Sequence, residues 1–513
     1  MRPLPAALRR AGEPGQTARR GRDLARAGAD GVRDVLHPLV TVGRGLVRLT
    51  TAGRAWWERT PAERRSPVLG LGGLALAAAY LLPYGPAVAV GAVLLAAAWQ
   101  GRKPPPEPDC TGPGEEELAR LQALYEALVP CFALPEDPAP EPLYAPDGSW
   151  ERAFEEFAFT PESRIERLLL RYPPWFRDGE PEERHRVERL LRAKAGRGRE
   201  YRFVWEEERN RLELSVPEPL PADLCAQRFV VAPGETVLGF TDTGAVRRTL
   251  PVADGAETRD VPPVVWRTGP RSTEPHLLAL GNPGSGITTL LRSVVLQALP
   301  HGDVLVTDGG GAGEFASLAG RHGVLAVESS LTGALSALEW AAHETERRLL
   351  AAQHARQTGR PLPGDVRRPL WVVVDRPAVL SHLARAEGRP DPQELLEVPL
   401  RHGRAAGVTV VVADQFEGAE GLSQAVRAYT RARVVLGAAS VEQVRAVLGE
   451  TPHTTPAPDP PPGRGYARLG GGPVLRMQVP ATPDPYDDAA GERQRQAVQA
   501  LLPEHSGQVA PVG

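Results

Sequence analysis

Lysine is all but missing from this chain. Of its 60 Lys and Arg residues, only Lys103 and Lys194 are lysines. Ala, Gly, Pro and Arg are abundant, the mark of a GC-rich genome and not of selection for guanidinium chemistry. Cysteine is scarce too: Cys110, Cys131 and Cys225 are an odd number, widely spaced, with no CxxC pair. That excludes a disulfide framework and a cysteine zinc site, and fits residual thiols in a reducing compartment. The formal net charge is only −3, which excludes a wholesale polybasic nucleic-acid binder but not a local patch. The 513 residues suffice for two or three domains with a sizeable core. No internal repeat is present.

Charge is absent altogether between Arg65 and Arg102. As one helix the run from Ser66 to Gln100 would be about 50 Å long, against roughly 30 Å of bilayer hydrocarbon. "PYGP" at 83–86 breaks it near the middle. The expectation is a two-span transmembrane hairpin over 66–100. Arg64 and Arg65 precede it and Arg102 and Lys103 follow it, so both termini read as cytoplasmic. Trp56, Trp57 and Trp99 suit an interfacial belt. The run starts too late to be a signal peptide. Residues 1–65 are Arg-rich and partly amphipathic, suited to an anionic membrane surface or to a solvated, disordered arm.

A Pro-rich tether at 101–114 leads into an expected α+β adaptor over 115–265. There "EEELARLQALYEALV" reads as a helix with its acidic residues at the favourable end. "SWERAFEEFAF", "PESRIERLLLRY" and "EERHRVERLLRAKA" also read as helices. "YRFVWEEERNRLELSV" reads as two strands about a turn, and "QRFVVAP" and "TVLGFTDTG" as further short strands. From about 270 the texture changes. "HLLAL", "DVLVTD", "GVLAV", "LWVVVD", "VTVVVAD" and "ARVVLG" are Val-rich, lack polar alternation and are separated by helical stretches. These are the marks of parallel strands buried on both faces of a doubly wound α/β sheet. "TTPAPDPPPGRG" (454–465) is a connector, "YARLGGGPVLRMQV" a closing hairpin, and 481–513 a polar tail with one short helix.

Gly281-Asn282-Pro283-Gly284-Ser285-Gly286-Ile287-Thr288 fills the phosphate-loop pattern GxxxxGK[ST] at every defined position but one. The glycines let backbone N–H groups turn inward on an anion. The following helix, through Thr288 and Thr289, offers its positive end, and the Thr288 hydroxyl stands where Mg²⁺ would be held. Ile287 has no charge and no donor where the phosphate-contacting lysine belongs. Codon bias against Lys would give Arg; Ile is a change of chemistry. In "LWVVVDRPAVL" Asp375 ends an apolar strand and suits a Mg²⁺ shell. The next position, where a water-polarising Glu is usual, holds Arg376, which stays protonated and cannot act as a base.

These motifs, in this order, resemble the FtsK/SpoIIIE family of membrane-tethered DNA-pumping ATPases and their conjugative relatives. The resemblance covers roughly 265–480. It extends to "ALEWAAHETERRLL" with Glu344, Glu346, Arg347 and Arg348, and to "RHGRAAGVTVVVADQ" with Gln415 at a sensor position. "YTRARVVLGAASVEQVRAVLG" and "GRGYARLGGG" continue it. The resemblance implies a RecA-like P-loop NTPase domain over 266–480, with a mostly parallel sheet flanked by helices, after the adaptor and the hairpin. It implies a bacterial cell-membrane location, a homo- or hetero-oligomeric ring, double-stranded DNA as partner, and ATP or ADP with Mg²⁺. The nucleotide would lie on residues 281–289 and Gln415, with Thr288 and Asp375 on the metal. With Ile287 and Arg376 in place no residue is assigned as catalytic, and hydrolysis is expected to be slow or absent. The chain then reads as a degenerate accessory subunit of DNA transfer or segregation. Two other readings are a structural adaptor of a type VII-like secretion complex, and a rewired ATPase in which Arg376 reaches the γ-phosphate. Arg321, Arg404, Arg431 and Arg433 are candidate pore or subunit contacts.

Overall fold

Six Val- and Leu-rich runs become six parallel strands: β9 (Leu277–Gly281), β10 (Asp303–Asp308), β11 (Val324–Glu328), β12 (Leu370–Asp375), β13 (Val408–Gln415) and β14 (Ala432–Leu436). This computed structural model describes residues 114–134, 141–196, 198–255, 257–457 and 459–506. The chain divides into two units, Met1–Gly114 and Glu115–Gly513; apart from Gly114, the described residues belong to the second. The expected N-terminal arm, the hairpin at 66–100 and the tether therefore lie outside them. Among the described residues no helix is long and apolar enough to cross a membrane.

β9, β12 and β13 are buried on both faces, which explains their uninterrupted apolar sequences, while the edge strand β11 is partly exposed. Alternate residues go to opposite cores. Leu277, Ala279, Val373, Val411 and Ala413 pack with Leu290, Leu291, Val294 and Val295 of the helix Ile287–Ala298. Leu278, Leu280, Val372, Val374, Val410 and Val412 pack with Leu338 of the helix Leu331–Thr358 and Leu400 of the helix Glu397–Ala406. The strand order is β11-β10-β12-β13-β9-β14, and four antiparallel strands extend it. These are β15 (Arg464–Leu469), β16 (Leu475–Gln478), β5 (Glu235–Phe240) and β8 (Pro263–Arg267). The mixed, mostly parallel sheet fits the expected P-loop NTPase domain. β5 and β8 fall in the stretch expected as adaptor, yet they complete the large sheet; between them β6 (Leu250–Asp254) and β7 (Glu257–Val261) form a separate hairpin. The tail helix Glu492–Leu501 also joins it, placing Val498 in the core beside the helix Ile287–Ala298.

Ahead of this sheet stands a four-stranded antiparallel one, in the order β1-β2-β4-β3: β1 (Phe154–Phe159), β2 (Ile165–Arg171), β3 (Arg202–Glu206) and β4 (Arg211–Ser215). The helices Glu115–Phe132 and Pro181–Ala195 share its core through Leu121, Leu128, Phe132, Val187 and Leu191. The sequence expectation needs two corrections here. "SWERAFEEFAF" and "PESRIERLLLRY" form the β1–β2 hairpin, not helices. Their apolar residues fall three to four apart, as in Ile165, Leu168 and Leu169, and that spacing imitates a helix. The pairing to β4 decides otherwise. "QRFVVAP" forms no strand; Phe229 instead packs edge-on against Phe240, ring centroids 5.7 Å apart.

The Pro-rich connector is a strap between the two sheets. Near its start, Phe203 donates to the His453 carbonyl at 2.8 Å and Thr455 donates to the Tyr201 carbonyl at 2.8 Å, extending the β3 edge. At its end, Gly463 donates to the Ser285 carbonyl in the glycine loop at 2.7 Å.

Candidate functional site

Parallel register brings the motif residues to one edge of the sheet. Gly281 pairs with Gln415 on one side and with Leu436 on the other; Asp375 pairs with Ala413 and with Asp308. The glycine loop, Asp375 and Gln415 thus lie along the carboxyl ends of neighbouring strands, where open α/β sheets bind ligands.

The loop is shaped by its glycines. Gly284 and Gly286 have φ of 76° and 94°, a region β-carbons avoid. A Cβ on Gly286 would stand 2.5 Å from the Gly463 nitrogen, so the strap needs that glycine too. The helix Ile287–Ala298 begins with Gly286 as its N-cap and no side-chain cap, which leaves its first N–H groups to an anion. The buried Ser285 hydroxyl has no hydrogen-bond partner. These features fit a phosphate group. Ile287 turns away from that role: it packs against the core, with Cγ1 3.1 Å from where a Gly281 Cβ would be. Thr288 and Thr289 follow in the first turn, both half-buried.

Three aspartates, each ending an apolar strand or nearly so, share this edge. Asp375 is 3 % exposed, and burial pushes its carboxyl up to about 7; the Arg376 charge opposes that, while Asp308, Asp414 and Glu314 add to it. Burial also raises Asp414, against hydrogen bonds from the Ala378 and Gln415 amides and the charge of Arg376. Asp308 accepts from the Gly310 and Gly311 amides at 3.0 and 3.1 Å through Oδ1, while its Oδ2 is buried and unpartnered. Asp308 and Asp414 were not singled out from the sequence. The signal was present, because "DVLVTD", "LWVVVD" and "VTVVVAD" repeat one pattern of apolar strand and terminal Asp.

Arg376 has φ 50°, ψ 56° and caps the helix Pro377–Ala386. Its guanidinium lies over Gly310, with Nη1 3.2 Å from where a Cβ there would stand. Thr288 and Asp375 are the residue types a Mg²⁺ ion takes, but a fixed cation at Arg376 opposes a second one. Among the described residues no three His, Cys, Asp or Glu side chains group closely enough to hold a metal. The loop fits phosphate, and beside Asp375 the fixed charge of Arg376 competes with Mg²⁺ for the carboxylate.

The remaining arginine candidates are mostly tied to backbone. Arg321 donates to Ser317 and Pro503 carbonyls, Arg404 to the Ser272 carbonyl, and Arg433 to the Thr430, Val447 and Arg427 carbonyls. Arg431 is exposed and, with Arg433 and Arg468, lines a cavity of about 380 Å³. Arg348 is buried, paired to Glu344 at 2.7 Å and bonded to the Arg368 carbonyl, a structural tie.

No family model matches the chain. Over 289 residues, 52% of the chain, it is 29% identical to the ESX secretion system protein EccC of Thermomonospora curvata, of which it covers 21%. Over 233 residues, 40% of the chain, it is 29% identical to the ESX-4 secretion system protein EccC4 of Mycobacterium tuberculosis, of which it covers 18%. The chain thus spans about a fifth of the length of the curated relatives it matches. Among solved structures it is similar to the cytoplasmic domain of the Thermomonospora curvata type VII secretion ATPase EccC. There the TM-score is 0.39 with 23% identity, over 56% of this chain and 32% of that one. It is also similar to the pCW3 conjugation coupling protein TcpA in its monomer form with ATPγS. The TM-score is 0.43 with 15% identity, over 75% of this chain and 99% of that one. The curated relatives that the chain resembles are secretion proteins. The expected DNA translocase, with double-stranded DNA as partner, is not supported.

Proposed function

We propose that this chain is an FtsK-type P-loop subunit of a type VII-like protein-secretion complex, one that binds nucleotide without hydrolysing it. The observation that carries the reading is the sequence relationship to two EccC secretion proteins. The site chemistry supports the second half. A loop and an uncapped helix terminus are present for phosphate, but Ile287 and Arg376 stand where the lysine and the water-activating carboxylate of a phosphoryl-transfer site belong. In this reading the P-loop module works as an occupied structural piece within an oligomer of secretion subunits. The charge-free segment 66–100 anchors it in the membrane, with the rest of the chain on the cytoplasmic side.

Deleting the gene and comparing the secreted proteome tests the role. Export of a defined protein set should stop and be restored by the wild-type chain. Full-length protein should bind ATP yet show no turnover above background, with or without DNA. Motor-like turnover that Asp375→Ala abolishes, or DNA binding with a steep salt dependence, would return the chain to the motor class.

A further inference from the structure

We propose that Arg376 is the phosphate-binding cation of this site and stands in for the absent lysine and for Mg²⁺ together, so that nucleotide is held without a divalent metal. The inference rests on the nucleotide-binding reading above and concerns how that same site is built.

Four observations carry it. First, the backbone of Arg376 is strained: a branched-Cβ-free but bulky residue sits at φ 50°, where only glycine is at ease. Strain of this kind persists where the surrounding fold enforces it, and it gathers at functional sites. The enforcement is visible. The Arg376 amide donates to the Ala413 carbonyl at 2.7 Å, and the Gly309 amide donates to the Asp375 carbonyl at 2.9 Å. Second, the guanidinium is half-buried, yet it makes no hydrogen bond and no ion pair with any described residue. Other partly or fully buried arginines use theirs: Arg292 on Glu314, Arg348 on Glu344, Arg368 on Asp303, Arg476 on Asp242. Unused planar donors are what bidentate recognition of a phosphate requires.

Third, position: Arg376 follows Asp375 at the end of β12, on the same sheet edge as the glycine loop of β9 and one strand, β13, removed from it. Its charge faces both Asp375 and Asp414, the Asp308 carboxylate lies across Gly310 from it, and Glu314 stands on the same loop. The cluster already holds a cation covalently attached to the protein. Fourth, Ile287 is committed to the core and brings no charge to the loop, so an anion there needs its counter-charge from elsewhere.

The test is ATP affinity of the full-length protein, by equilibrium titration, in excess Mg²⁺ and in EDTA. Wild type should bind with the same affinity in both, within about twofold. Arg376→Gly should weaken binding by about tenfold or more, the effect of losing a charge-assisted hydrogen bond. The same variant should melt no lower than wild type, because glycine relieves the positive φ. A merely structural arginine would lower the melting temperature and spare affinity. Arg376→Lys should recover part of the binding, and Arg376→Glu should make what binding remains depend on Mg²⁺. Wild-type binding that collapses in EDTA, or Arg376→Gly binding at wild-type affinity, overturns the proposal and leaves nucleotide binding standing. No binding in either buffer overturns both.

Discussion

Asp375 is the side chain whose environment makes the sharpest demand on pH. A carboxyl raised to about 7 by burial keeps its proton in the folded state while the unfolded chain gives it up near pH 4. Below about 4 both states are protonated and nothing is lost. Between about 4 and about 7 the folded state binds more protons, so stability falls as pH rises; above that the loss is constant. Asp414 is shifted the same way. Asp375→Asn removes the larger contribution. Its melting temperature should decline less than that of wild type between pH 4.5 and 7.5, with a gain at pH 7.5 of up to a few kcal/mol. Parallel melting curves that never converge at low pH would show another cause. His276 runs the other way: burial drops its imidazole to about 4, so this group contributes stability above its unfolded value near 6.5 and loses it as pH falls toward 4. The two effects oppose each other across the same window, so His276 offsets much of the Asp375 loss between about pH 4 and 6.5.

The glycine loop and the strap are one element in energetic terms. Gly286→Ala forces a β-carbon into φ 94° and within 2.5 Å of the Gly463 nitrogen. The expected cost is roughly 1–3 kcal/mol, and hydrogen exchange at the Gly463 amide should accelerate, because its bond to the Ser285 carbonyl is lost. Unchanged protection there would disprove the coupling. The loop itself was legible in sequence, as were the six parallel strands, because burial on both faces writes an unbroken apolar run that little else imitates. The β1–β2 hairpin was not legible. Its strands carry Glu155, Glu156, Glu166 and Arg167 beside apolar residues at helix-like spacing, and only pairing partners far along the chain settle the matter. β5 was read as a strand but not as part of the large sheet, and β8 was not read as a strand at all. The strap was legible as a connector, but its pairing to β3 was not, since backbone pairing by a Pro-rich segment leaves no periodicity. At the candidate site, Gly281 to Thr288, Asp375 and Gln415 were singled out by motif, and the fold brings them to one sheet edge. Asp308 and Asp414 needed the register that puts the strand ends side by side.

At the scale of the whole chain, the adaptor sheet and the large sheet share a buried charge cluster. Arg476 is 4 % exposed and donates to Asp242 of the large sheet through Nε, at 3.1 and 3.2 Å. It also pairs with Glu200 of the adaptor and bonds the Glu218 carbonyl. Arg464, beside the strap, lies 3.8 Å from Glu200 and bonds Gln478 at 2.9 Å. Arg476→Ala leaves Asp242 to Arg202, at 2.8 Å, and Glu200 to Arg464, and removes the charge-assisted bonds that join them, a change that costs about 1.5–3 kcal/mol. Calorimetry should show a single melting transition in wild type and two in the variant, the adaptor melting first. One transition, merely lowered, would mean that the sheets are held together elsewhere. The strap has a further consequence in the cell. β3 is the outer strand of its sheet, and it is the proline-laden connector that covers the beginning of that rim. Peel the connector away and a row of bare amides and carbonyls becomes a template for any passing chain. Self-association is therefore the phenotype to look for when the strap is cut, ahead of any change in what the loop can hold.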